Sequence, residues 1–352
     1  MKKILAIVLV AVMALSISAC SGSDAQIDIN AAAGAGAGQT NLVYEDFIYA
    51  VNEFGDYEIT GYTYTGAIDK AVVIPNDIGG RPVTGIGVAA FKSVTTMTSL
   101  TLPTSLEYIS SSAFYGCNIL KSVEIPATVT TIGDNAFWGC TKLETFTVAE
   151  NPALETIGSN AFYGCTALKT VALSSKLTAV SSATFFGCSE LTAITLPATV
   201  TTIENNAFYG CAKLETVTFS EGSALKSIDV SAFSGCSALK NVTFPNALEF
   251  IGENAFLGCT AFTDIVIPKS VTRIGTGAFG NCSSLQKVTF LNDNTAIGST
   301  EKDAQGNTVV VDPDARLFVN CKALTLVAPE GSNAAKYATI TGIPCEAPAT
   351  SD

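Results

Sequence analysis

The sequence predicts a solenoid, a β-rich stack of rungs about 23 residues long with a ladder of parallel strands. Three observations predict it. Cysteines stand at 117, 140, 165, 188, 211, 236, 259 and 282, at intervals of 23, 25, 23, 23, 25, 23 and 23 residues. One phrase travels with them: "NAFWGCTKLETF" at 135–146 returns as "NAFYGCTALKTV" at 160–171, "NAFYGCAKLETV" at 206–217 and "NAFLGCTAFTDI" at 254–265. Between these phrases the apolar residues alternate as they do in short strands.

Each unit is built the same way. Leu120-x-x-Val123-x-Ile125-Pro126 reads as a strand that Pro126 ends by withdrawing a donor. The pattern recurs at Leu191-x-x-Ile194-x-Leu196-Pro197 and Leu239-x-x-Val242-x-Phe244-Pro245. A second segment follows, Val129-x-x-Ile132 or Val200-x-x-Ile203, and then the Ala-Phe-x-Gly-Cys corner. The glycine relieves that tight corner, and the Asn at 135, 160, 206 and 254 suits turn hydrogen bonding. The two longer units carry their extra residues at one point, in "AENPALETI" and "SEGSALKSI", which marks loops on one edge. A lone rung has too little shared apolar surface to offset its ordering entropy, so rungs fold only when stacked.

The units resemble the leucine-rich repeats of BspA-like bacterial surface proteins, whose repeat is similar to L-x-x-[VI]-x-[IL]-P-x-x-[VL]-x-x-I-x-x-x-A-F-x-x-C. The resemblance covers about residues 47–345. It implies a leucine-rich repeat solenoid with a strand-rich N-terminal cap and a C-terminal cap. Residues 47–91 look like the family's opening, and a cysteine-free first rung follows from Phe91, with Met97, Leu100 and Leu102 on its strand. The last rung, around Phe318 and Cys321, comes 39 residues after Cys282, which places a hairpin insert at about 291–315. "APEGSNAAKYATITGIPCEA" resembles the family's closing helix and strand, and Cys345 is expected to pack there. Thr128 and Thr199 stand where better-known repeats carry Asn or Cys, so their inner turn is expected to be built differently. Ten strand rungs at about 4.8 Å each give a core roughly 45 Å long.

The N-terminus reads as an address. Lys2 and Lys3 precede an apolar run from Ile4 to Leu15, shorter than the roughly 20 residues of a membrane span. Ile17-Ser18-Ala19-Cys20 resembles the lipobox of bacterial lipoproteins, which implies lipidation of Cys20; ordinary secretion is the alternative. The expected organisation is therefore a lipoprotein signal peptide (1–19), a flexible Gly/Ala-rich tether (20–41), an N-terminal cap (42–85), the solenoid (86–327) and a C-terminal cap with tail (328–352).

Composition narrows the chemistry. Apolar residues make up 48% of the 352 and charged ones 14%, which suits a folded, largely buried chain. A net charge of −12 repels phosphate backbones, so no nucleic-acid partner is expected. There is no histidine, which removes the commonest general base and metal ligand. Carboxylates show no repeated close pair, and "DAQGN" in the insert lacks the spacing of a calcium loop. No catalytic residue, cofactor or metal is expected. The cysteines read as small buried hydrophobes, because parallel side chains one rung apart hold their Cβ atoms too far apart for disulfides. A column along a stack does not converge on a zinc ion either.

Two columns are expected to face outward. Tyr115, Trp138, Tyr163, Phe186 and Tyr209 each follow an inward Phe and form an aromatic stripe about 20 Å long. It reads either as a contact surface for protein or glycan, or as rings lying over the corners of adjacent rungs. Thr101, Glu124, Thr147, Ala172, Thr195, Thr218, Thr243, Val266 and Thr289 form the second column, explained by the strand preference of β-branched residues. A threonine ladder also suggests ice binding, but the second ordered column of that motif is missing. The function expected is non-enzymatic: a secreted, lipid-anchored protein at the bacterial cell envelope, surface-exposed, presenting a rigid repeat face. The family resemblance implies adhesion to host or neighbouring-cell surface and matrix proteins. Alternatives are a glycan-capture subunit of a nutrient-uptake system, using the stripe, and a structural envelope spacer.

Overall fold

The computed structural model describes residues 42–64, 66, 70–298 and 316–349. Leu42–Tyr44, Phe47–Val51 and Tyr57–Tyr62 pair antiparallel; Tyr57–Tyr62 then runs parallel to Arg81–Ile86, which turns the cap into the first coil. From there the chain winds through about twelve turns. Each regular rung gives a strand of about four residues to one ladder and a two-residue strand to another. Ser122–Ile125 pairs with Thr145–Val148 in the first, and Thr131–Ile132 with Thr156–Ile157 in the second. Both pairings are parallel and equivalent residues stand opposite one another: Val123 faces Phe146, Ile132 faces Ile157.

The corners form a third ladder. Phe114 N–H donates to the Ala136 carbonyl and Gly116 N–H to that of Trp138, and the same bonds recur one rung on at Phe137 and Gly139. Two residues of each corner need positive φ. Asn135, Asn160, Asn206 and Asn254 lie at φ 54–57°, and Gly139, Gly164 and Gly210 near 70°. Asn tolerates the left-handed region, and its carbonyl accepts a turn bond from the residue three on, as Asn135 does from the Trp138 N–H.

Inside, ten phenylalanines form one continuous pile: Phe91, Phe114, Phe137, Phe162, Phe185, Phe208, Phe233, Phe256, Phe279 and Phe318, with successive centroids 5.0–5.8 Å apart. Aromatic rings close both ends. Tyr62 sits 5.2 Å from Phe91, and Tyr337 meets Phe318 edge-on at 6.3 Å. Tyr337 belongs to the single helix among the described residues, α1 (Asn333–Thr341), capped by the Ser332 side chain and by Gly342 at φ 74°.

Three expectations need amendment. The first ladder begins one turn before the expected first rung, because Lys70–Val73 pairs parallel with Met97–Thr101. It also ends one turn late, with Cys345–Glu346 against Thr325–Val327. Cys345 does not pack. It is exposed, because its strand is the last of the ladder and no further rung covers it. Thr128 and Thr199 do share a turn of their own kind: each hydroxyl reaches two carbonyls of the preceding rung, Thr104 and Leu106 or Ser175 and Leu177. Asn292 makes the same pair of contacts with its amide, to Lys269 and Val271. Of the expected insert, residues 299–315 lie outside the described residues.

Candidate binding surface

The eight regularly spaced cysteines, 117 to 282, are free and buried. Each thiol donates to the phenylalanine carbonyl of the preceding rung, as Cys140 does to Phe114 at 3.2 Å and Cys236 to Phe208 at 3.1 Å. Burial first, and the neighbouring thiol second, push Cys117, Cys188 and Cys259 well above the ordinary thiol value; Cys282 is raised to about 12. Thiols raised in this way hold their protons, which makes them poor nucleophiles. Among the described residues no group of three or more His, Cys, Asp or Glu could hold a metal ion.

The stripe residues stand in one column on the corner, each just after a buried Phe. Their rings are stacked face to face: Tyr115–Trp138 at 6.0 Å and 12°, Trp138–Tyr163 at 3.9 Å and 5°, Tyr163–Phe186 at 4.4 Å and 6°, Phe186–Tyr209 at 4.7 Å and 7°. The rung repeat imposes this geometry, since identical backbone corners one rung apart leave rings no room to turn edge-on. The rings therefore cover one another's faces and show water their edges. Lys92 Nζ lies 5.2 Å from the Tyr115 centroid and caps that end. Tyr115, Trp138, Tyr163 and Phe186 are half-buried, whereas Tyr209 is 39% exposed.

The outward strand column is aligned by register. Glu124 faces Thr147, Thr195 faces Thr218, and Val266 faces Thr289. Thr101, Glu124, Ala172, Thr195, Thr218, Thr243 and Val266 are exposed; Thr147 and Thr289 are half-buried. The strand ladder is interrupted three times along this face, and a groove opens at two of the breaks. One of about 500 Å³ runs between Thr170–Val171 and Ala193–Leu196, lined by Ala172, Thr195 and Ser220 among others. The second, about 600 Å³, follows Thr216–Phe219 and is lined by Ser223, Thr243, Pro245 and Asn246 among others. Exposed pairs such as Lys169–Glu144 and Lys240–Glu215 join consecutive rungs; the lysine's hydrogen bond lowers the carboxyl pKa of Glu144 and Glu215. At the surface they set register more than stability.

One pair escaped the sequence reading. Glu204 and Asp229 occupy equivalent positions on adjacent rungs, and burial first, with Glu204 as a lesser cause, raises the Asp229 pKa. Their 25-residue spacing, one long rung, was the available signal. Glu204 is committed to structure, because it accepts from both the N–H and the hydroxyl of Ser182. Cys20 lies outside the described residues.

Comparison with known proteins matches this geometry to a repeat. The family model described as the BspA type leucine rich repeat region, six copies long, matches residues 59–192 and 178–301. The chain belongs to the BspA-type leucine-rich repeat family. Among solved structures, this BspA-type chain is similar to a leucine-rich repeat protein from Bacteroides ovatus ATCC 8483, at 25% identity and TM-score 0.53, covering 83% of this chain and 86% of that one. A leucine rich cell surface protein from Faecalibacterium prausnitzii A2-165 shares the fold at 22% identity and TM-score 0.51, over 89% of this chain and 96% of that one. No curated protein matches the BspA-type chain. It is a bacterial-type repeat scaffold.

Proposed function

We propose that this BspA-type protein is a non-enzymatic adhesin: a lipid anchor at Cys20, a tether over 20–41 and a rigid solenoid whose outward strand face docks on a surface or matrix protein of a host or neighbouring cell. The supporting observation is the register of that face. Because equivalent residues stand opposite one another from rung to rung, a row of mostly small side chains runs along a repeating core. A preorganised face of this kind loses little conformational entropy on binding. Recesses next to Thr195 and Thr243 give that face relief.

The test uses the fragment from residue 42 on an array of matrix and cell-surface proteins. Saturable binding that is lost in the Thr195→Lys, Thr218→Lys double variant supports the reading; no binding, or binding unaffected by the two lysines, contradicts it. Anchoring is tested apart from this, by fatty-acid labelling of the full chain in bacteria. Label should enter the wild type and be absent from Cys20→Ala.

A further inference from the structure

The interruptions of the strand ladder fall where a strand segment runs directly into a proline. Ala149, Ser220 and Leu291 follow their strands and donate N–H to the last strand residue of the preceding rung, Ile125, Leu196 and Ile267, at 2.9, 3.0 and 3.1 Å. Each of those strands is paired with its predecessor. Pro126, Pro197, Pro245 and Pro268 stand at the same place with no N–H to give, and there the ladder is open. Pro103 differs, because its strand, Met97–Thr101, ends two residues before it and stays paired.

The larger groove, about 600 Å³, includes Pro245 in its lining. Phe219 lies on one wall, at the end of Thr216–Phe219. Its carbonyl is equivalent to that of Leu196, and among the described residues no backbone N–H reaches it. Thr243 and Phe244 line the other wall, and no N–H or C=O from Asn241 to Phe244 makes a backbone hydrogen bond among the described residues. Asn241 is tied to the rung beyond by its side chain instead, which accepts from the N–H groups of Thr263 and Asp264. Ala193–Leu196 and Thr216–Phe219 therefore form a two-stranded ribbon whose edge toward Pro245 is free.

We infer that this groove binds an extended peptide segment, which adds to the free edge of Thr216–Phe219 as a third strand. Extended main chain is the ligand that carries N–H and C=O groups at the spacing of the strand it meets. One peptide N–H takes the place of the donor that Pro245 lacks and reaches the Phe219 carbonyl. The groove's volume falls within the roughly 300–1,000 Å³ of ligand sites. The inference rests on the docking reading above and gives it a mode: the partner contributes an extended segment rather than a folded surface.

The experiment is an amide-resolved NMR titration of the fragment from residue 42. The probes are acetylated, amidated copies of residues 215–220 and 286–291, two segments whose last N–H makes this bond in their own rungs. Saturable shifts are expected at Thr216–Phe219 and Asn241–Phe244. N-methylation of the last peptide residue should lower affinity at least about tenfold. Pro245→Ala supplies the missing N–H from within the chain, so it should lower affinity by a similar factor and leave the new amide protected from exchange. Pro197→Ala, at the other groove, should bind within about twofold of wild type. Thermal melts establish that each variant is folded. Binding of neither peptide, binding indifferent to N-methylation or to folded Pro245→Ala, or shifts confined to other rungs overturns the inference. Array binding to the strand face without peptide binding sinks this inference alone; peptide binding with a silent array sinks the adhesin reading alone.

Discussion

The thiol of Cys188 donates to the backbone carbonyl of Phe162, one rung earlier, at 3.3 Å. The same carbonyl already accepts the Cys165 N–H at 3.1 Å, so both its lone pairs are used in the dry interior. Cysteine suits the corner for that reason: it is small and apolar, yet carries a weak donor where a carbonyl would otherwise be half satisfied. Replacing Cys188 by Ala should cost about 1–2 kcal/mol of stability, measured by denaturant unfolding. A cost indistinguishable from zero would mean that the bond is incidental.

Phe185 lies between Phe162 and Phe208, at 5.4 and 5.3 Å, and is 1% exposed. Phe185→Ala removes a ring from the middle of the pile and should destabilise by about 3–5 kcal/mol. Because each rung contacts only its neighbours, the loss should also split the unfolding transition into two steps. A single step at the wild-type midpoint would contradict the stacked-coil description.

Alkaline pH should unfold the protein earlier than a chain of this composition without buried thiols. Burial raises Cys282 to about 12 and Cys321 to about 11. An unfolded thiol loses its proton near pH 8.5, so above that value the unfolded chain binds fewer protons than the fold and stability drops as pH rises. The contribution is complete below the unfolded value and gone once pH passes the folded one. Melting temperature should therefore fall between pH 8.5 and 11, and fall less steeply in Cys282→Ala.

Trp138, the single tryptophan, stacks on Tyr163 at 3.9 Å. Tyr163→Ala uncovers one indole face. The expected result is red-shifted emission, stronger acrylamide quenching and a stability loss of about 1 kcal/mol. Unchanged emission would mean that the rings do not stack in solution.

The ladders are interrupted between the same two rungs, and that point should open first. Neither Thr170–Val171 with Ala193–Leu196 nor Thr156–Ile157 with Ala179–Val180 forms a ladder pair; the Ser181 hydroxyl substitutes for a backbone donor by reaching the Ile157 carbonyl. Amide exchange at Ile194 should be faster than at Phe146, whose strand is paired on both sides. Equal protection would show the interruption to have no energetic weight.

Most of this architecture was readable because its signal is periodic. Phe114, Cys117 and Leu120 repeat at fixed offsets, and a fixed offset in a stack means a fixed place in the core. What periodicity does not carry was missed. Cys345 falls on the last strand, and the sequence pattern does not reveal that nothing covers it. At the ladder break Ser174 stands where other rungs carry proline, and its hydroxyl accepts the Lys176 N–H in a tight turn, a local detail that the repeat pattern does not carry. The end of the aromatic column was visible as Ser234.

The central claim is that the recurrent cysteines and phenylalanines lie within one continuous core. Thiol titration of the fragment from residue 42 tests it most directly. In the native state Cys345 alone should react quickly with an aromatic disulfide reagent, Cys321 slowly and the eight repeat thiols not at all; after unfolding without reductant, all ten should react. Rapid native modification of Cys140 or Cys211, or disulfides found among the repeat cysteines, would contradict it.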